Sequence, residues 1–191
     1  MVFGFSLLAG ATVRITSGSR KGYKLKIPSG DRVKPAQDIV RQAIFNMIGE
    51  HITEAKVLDL FAGSGSLGIE ALSRGASWCD FVDKEKSCTQ VVKENLSHTH
   101  FEDKAKVYTL KAERFLDEAE TNTYDFIFLS PPYAQGIDLV LLKKMANVLR
   151  GGGVVVFEHS KKIEFPKGLE ELKLIDERTY GAATISFLQK A

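Results

Sequence analysis

Val57-Leu58-Asp59-Leu60-Phe61-Ala62-Gly63-Ser64-Gly65-Ser66-Leu67-Gly68-Ile69-Glu70 decides the fold. An apolar run ends in the turn Gly63-Ser64-Gly65, and an apolar helical pattern begins directly after it. Such a strand–turn–helix unit brings a ligand close to bare backbone and to a helix N-terminus. Asp59 narrows the ligand. A strand that feeds a pyrophosphate-binding GxGxxG turn is usually apolar there, because a carboxylate repels the anion. A carboxylate at this spot suits a cation, and S-adenosyl-L-methionine carries an ammonium and a sulfonium. GxGxxG alone is a weak signal. The longer pattern D-x-F-A-G-x-G-x-x-G over residues 59–68 is a stronger one.

Outward from this unit the chain alternates strand and helix. The pattern predicts strands over 56–60, 78–82, 105–110, 124–129 and 153–158. Helices are predicted over 66–74, 85–97, 113–119 and 137–149. Gly151-Gly152-Gly153 reads as the stop of the last of these helices. Two late strands, near 172–178 and 183–189, are joined by a tight turn at Tyr180-Gly181 and supply an antiparallel edge. The alternation means an α/β fold, a mostly parallel seven-stranded sheet with helices on both faces. Before it, residues 12–16 and 23–27 read as a small β-hairpin with one apolar and one basic face. Residues 36–50 read as an amphipathic helix with Ile39, Val40, Ala43, Ile44, Met47 and Ile48 on its apolar side. We divide the chain into an N-terminal extension, 1–35, and a main domain, 36–191.

The 191 residues, 44% hydrophobic and 26% charged, suit one globular domain with a small appendage. Charge is unevenly placed. Between Arg14 and Arg41 eight basic residues face only Asp31 and Asp38, so this segment carries +6 in a chain of net +2, and the rest carries −4. A basic lobe on a mildly acidic body points to a polyanion, and Arg14, Arg20, Lys21, Lys24, Lys34 and Arg41 are the candidate contacts. The bland alternative is a solvated charged surface. Cys79 and Cys88 fit no zinc or redox spacing, and the four histidines complete no ligand set with them, so no metal is expected. No apolar run is long enough to span a membrane. Residues 1–11 imitate the apolar part of a signal peptide but lack its basic start, and we read them as an extension of a cytoplasmic protein.

In a doubly wound sheet, ligands bind beyond the carboxyl ends of the strands. The second strand ends at Val82-Asp83, where Asp83 can accept hydrogen bonds from two ribose hydroxyls, or cap the following helix, or both, and Lys84 beside it is a further candidate cofactor contact. The third ends before Ala112, whose backbone can read an adenine edge. The fourth ends in Leu129-Ser130-Pro131-Pro132-Tyr133. Two prolines stiffen the backbone and remove two N–H donors, which leaves carbonyl acceptors, the Ser130 oxygen and the Tyr133 ring. That set suits an exocyclic amine on a flipped base: the acceptors hold the NH2 and the ring stacks on the base. Hydrogen bonds from the amine to fixed acceptors align it with a sulfonium methyl. The bland reading is a proline-rich turn with a packed tyrosine.

With these residues in place the chain resembles the bacterial 16S ribosomal RNA guanine-N2 methyltransferases of the RsmD type, class I S-adenosylmethionine-dependent enzymes with a Rossmann-like sheet. The resemblance runs from about Arg14 to the C-terminus through RITSGSRKGYKLKIP, VKPAQDIVRQAIFNMI, VLDLFAGSGSLGIEALSRGA, LSPPY and YGAATISF. It implies that Asp59, Phe61, Gly63, Ser64 and Gly65 line the methionine and ribose part of the cofactor, that Asp83 holds the ribose, and that Tyr133 stacks on the target base. It implies a basic N-terminal hairpin that helps to hold RNA, with ribosomal RNA in a small-subunit particle as partner. The chain departs from the pattern at three places. Ser130 stands where Asp or Asn usually precedes Pro-Pro, Ala36-Gln37 replace threonines, and Lys111 replaces Asp or Asn. Ser-Pro-Pro-Tyr resembles the motif of cytosine-N4 methyltransferases. Amino methylation of another base (adenine N6 or cytosine N4) of RNA or DNA, and a non-catalytic RNA-binding assembly protein on this scaffold, are therefore the alternatives.

Overall fold

The computed structural model describes residues 13–28, 35–131, 138–161, 163 and 169–191. Two short antiparallel strands come first, β1 (Val13–Arg14) and β2 (Lys24–Leu25), then α1 (Pro35–Ile48) and a 3-10 turn, Gly49–Ile52. The alternating part follows: β3 (Lys56–Leu60), α2 (Ser66–Ser73), β4 (Trp78–Asp83), α3 (Lys86–Thr99) and β5 (Ala105–Thr109). It continues with α4 (Ala112–Glu118), β6 (Tyr124–Leu129), α5 (Leu139–Val148) and β7 (Leu149–Ser160). The chain closes with β8 (Leu172–Tyr180) and β9 (Ala183–Lys190).

The seven main strands are ordered β5-β4-β3-β6-β7-β9-β8. The first five are parallel, and β9 runs antiparallel between β7 and the edge strand β8. The order reverses between β3 and β6, so the switch point lies where the glycine turn and the Ser130-Pro131 step both emerge. Strand residues alternate between two apolar layers. Val57, Phe81 and Phe128 face the layer of α1, α2, α3 and the hairpin. Leu58, Leu60, Val82 and Ile127 face α4 and α5. Burial on both faces explains why these strands read as nearly continuous apolar runs.

The hairpin belongs to the first layer, since Val13, Ile15 and Leu25 are buried in the same core as Ile44 and Phe45. Its turn lies against the end of α2. Gly18 has φ +81°, and a Cβ there would come within 1.8 Å of the Ser73 carbonyl oxygen. The Ser19 N–H donates to that oxygen at 2.7 Å, and the Ser73 hydroxyl donates to the Ser17 carbonyl at 2.7 Å.

One expectation is corrected. The glycine run 151–153 does not stop α5. That helix ends at Val148, and Leu149 is already extended. The glycines lie inside β7 as an irregularity: pairing with β6 jumps from Tyr124–Leu149 to Phe126–Val154.

Candidate active site

A cavity of about 610 Å³ opens at the carboxyl ends of β3, β4, β6 and β7. Asp59, Gly63, Asp83, Ala112, Ser130 and Glu158 line it, carried near the carboxyl ends of β3, β4, β5, β6 and β7 or by the turns that follow them. Most of the positions expected from sequence therefore converge on one hollow. Lys84 sits at its rim, exposed, with Nζ 3.9 Å from Glu85.

The glycine turn is built on backbone geometry. Phe61, Gly63 and Gly65 have φ of 70°, 54° and 76°. Glycine takes these values freely, whereas Phe61 holds a conformation that costs a side-chain-bearing residue about 1–3 kcal/mol. Two N–H groups, of Phe61 and Ala62, donate to the Val82 carbonyl at 3.0 Å each, and the Phe61 ring packs on the α4–α5 layer. A Cβ on Gly63 would meet nothing within 4 Å, so the space beside it is open, whereas one on Gly65 would press on Val92 and Phe81.

Both carboxylates at the turn are held by backbone donors. Gly68 N–H, in the first turn of α2, donates to Asp59 Oδ2 at 2.9 Å. Asp59 is only 2% exposed, and burial, aided by the charge of Asp83 and opposed by the Gly68 bond, pushes its carboxyl up to about 7. Asp83 accepts from Gly63 N–H through Oδ2 and from Glu85 N–H through Oδ1, both at 2.9 Å. It thus braces the turn and holds Glu85, the residue before α3, without capping the helix itself, and each oxygen keeps a lone pair for another donor.

At the far wall, Ser130 Oγ lies 3.4 Å from Glu158 Oε2. Ser130, Pro131 and Glu158 are half-buried. Pro132 and Tyr133 lie outside the described residues, as does Lys34.

The basic residues separate. Arg14, Lys21 and Lys24 are exposed on the hairpin, with Arg14 opposite Lys24 in the ladder. Arg20 is partly committed: its Nε donates to the Thr99 carbonyl at 2.8 Å and its guanidinium lies over the Phe101 ring. Arg41 is a correction. It is 3% exposed, so it offers nothing to a surface polyanion. One guanidinium nitrogen donates to the Arg14 carbonyl at 2.6 Å and to Asp38 at 2.9 Å. Its Nε stands 3.5 Å from Glu70 without a hydrogen bond, and the side chain lines the cavity.

Sequence reasoning missed three residues. Glu158 lies near the end of the apolar strand β7 and could have been found by the strand-end rule. Asn95, buried in α3, bridges the hairpin to the glycine turn: its Oδ1 accepts from Lys26 N–H, and its Nδ2 donates to the carbonyls of Lys26 and Ser64. Fully buried Glu70 accepts from Thr16 N–H, Thr16 Oγ1, Ser17 N–H and Arg74 Nε at 2.6–3.0 Å. Nothing local marks either, since their partners, Arg74 apart, lie 29 or more residues away in the chain. Among the described residues no cluster of His, Cys, Asp and Glu could hold a metal ion, and no helix is long and apolar enough to cross a membrane.

Known proteins are similar to this chain. The family described as Conserved hypothetical protein 95 matches residues 13–189. A candidate rRNA methyltransferase of Bacillus subtilis, YlbH, is 40% identical over 182 residues, covering 93% of this chain and 99% of that one. Ribosomal RNA small subunit methyltransferase D of Escherichia coli is 35% identical over 141 residues, 74% of this chain and 68% of that one. The solved structure of a candidate methyltransferase of Escherichia coli, yhhF, superposes with a TM-score of 0.82 at 28% identity and covers 94% of this chain and 98% of that one.

Proposed function

The chain belongs to the Conserved hypothetical protein 95 family, of RsmD-type methyltransferases, and from that premise we propose that it methylates the exocyclic amine, N2, of a guanine in small-subunit (16S) ribosomal RNA. The methyl donor is S-adenosyl-L-methionine. The observation that carries this reading is the convergence of Asp59, Asp83 and the Ser130-Pro131 step on one cavity.

The residues fit the cofactor. A cavity of about 610 Å³ is of ligand size. Buried Asp59 offers a carboxylate to the ammonium, and Asp83 retains acceptor capacity for ribose hydroxyls. The open side of Gly63, with Phe61, Ser64 and Gly65 around it, lets the ligand approach the backbone. Ala112 and its neighbours close the adenine end, and Lys84 stands at the rim. Arg41 Nε, buried without a hydrogen bond, suits the methionine carboxylate. When bound, the cofactor supplies an electrophilic methyl on a sulfonium.

The chain's own work is to hold the amine. Ser130 accepts one of its protons, and Pro131 places no competing N–H beside it. Pro132 and Tyr133 complete the step, with the Tyr133 ring stacked on the base. Arg14, Lys21 and Lys24, joined by Arg20 and Lys34, engage phosphates of the RNA within a small-subunit particle. The test is incubation with labelled S-adenosyl-L-methionine and ribosomal subunits lacking the modification. Label in small-subunit RNA is expected; label confined to protein, to DNA or to the large subunit contradicts the reading.

A further inference from the structure

We propose that Glu158 reads the guanine itself: its carboxylate accepts the N1–H while Ser130 holds the neighbouring amine. This inference rests on the methyltransferase reading above and adds a specificity-determining residue to it.

The placement comes from the sheet. β6 and β7 are parallel with Leu129 opposite Phe157. Ser130, the first residue after β6, and Glu158, two residues before the end of β7, therefore stand side by side at the cavity. Ser130 Oγ stands 3.4 Å from Glu158 Oε2, and both side chains line the hollow and are half-buried. The serine proton is directed at the glutamate. A hydroxyl that donates to a carboxylate becomes a better acceptor through its remaining lone pairs, which suits it to an amine N–H.

The chemistry selects the base. Adenine and cytosine each carry a ring-nitrogen acceptor beside the amine. Guanine carries a donor there, N1–H, so its edge presents two adjacent donors. An ionised carboxylate is acceptor-only. Beside Ser130 it pairs with the guanine edge and faces a lone pair on adenine or cytosine. Serine by itself, with one neutral oxygen, distinguishes none of these amines. The pair of oxygens on two neighbouring strands does.

The test replaces the methylated guanine of the small-subunit RNA by 2-aminopurine, introduced by ligation, in reconstituted particles. That base keeps the 2-amino group and turns N1 into an acceptor. Wild type is expected to lose roughly 10- to 100-fold in kcat/KM on the analogue. Glu158→Gln, whose amide can donate to N1, is expected to lose activity on guanine and to show a collapsed or reversed preference. Its affinity for S-adenosylhomocysteine should equal that of wild type, which also reports that it is folded. A wild type indifferent to the analogue overturns the proposal without any variant. So does Glu158→Gln with the wild-type preference. Transfer by wild type to no guanine overturns the functional reading, and this inference with it.

Discussion

At Asp59 burial and ligand chemistry pull in opposite directions. Its carboxyl is pushed from 3.8 up to about 7, chiefly by desolvation. At pH 6 the ligand-free protein therefore holds it mostly neutral, while a cationic ligand favours the anion. Binding of S-adenosyl-L-methionine at pH 6 should release a proton, and affinity should rise by up to about tenfold per pH unit below 7. Calorimetry at pH 6 in buffers of different ionisation heat measures the release. Asp59→Asn should abolish it and weaken binding; an unchanged proton count in that variant contradicts the assignment. The folding linkage has its own sign. A carboxyl raised in the folded state contributes stability that is full below about 4 and is lost as pH rises through about 7. The ligand-free wild type should thus lose stability over that window relative to Asp59→Asn. Asp83 is held in place by two backbone bonds. Asp83→Ala should cost roughly 1–3 kcal/mol of cofactor affinity by calorimetry. Equal affinity would limit Asp83 to bracing the turn.

At the scale of elements, the hairpin is tied to the cofactor turn by side chains that touch no ligand. Asn95 holds Lys26 with one end and the Ser64 carbonyl with the other. Asn95→Ala leaves these part-buried backbone groups unpaired and should destabilise the fold by about 1–3 kcal/mol. It should also lower cofactor affinity, because Ser64 is part of the turn. Denaturant unfolding and calorimetry together check this, and an affinity equal to wild type would show that the turn holds its shape alone. Glu70 is the stronger tie. Removing its carboxylate in Glu70→Ala abandons two arginines and two N–H groups, a loss of about 3–5 kcal/mol in chemical unfolding.

These ties also mark where sequence stops being legible. Asp59, Gly63, Asp83 and Ser130 were readable because the alternation of strands and helices fixes which residues emerge at strand ends. Arg41 was misread because a charge run does not reveal that one member pairs with a glutamate 29 positions later. The glycines at 151–153 were misread because a helix stop and a strand irregularity use the same residue. Asn95 carries no local signal at all, since its role exists only once the hairpin has folded back on α3.

For the whole molecule, charge and architecture divide the work. The sheet carries the cavity at one end, and the hairpin presents Arg14, Lys21 and Lys24 to solvent beside it. Reversing these three charges together should weaken RNA binding and reduce the slope of log K against log salt by about 2–3, while cofactor affinity stays constant. An unchanged slope would make the lobe a solvated surface only. The central claim is methyl transfer to a guanine amine, and mass spectrometry of nucleosides tests it most directly. RNA from unmodified small subunits, treated with the protein and labelled S-adenosyl-L-methionine, is digested completely and analysed. The account predicts labelled N2-methylguanosine at a single position. Label in N6-methyladenosine or N4-methylcytidine, or RNA without label, would contradict it.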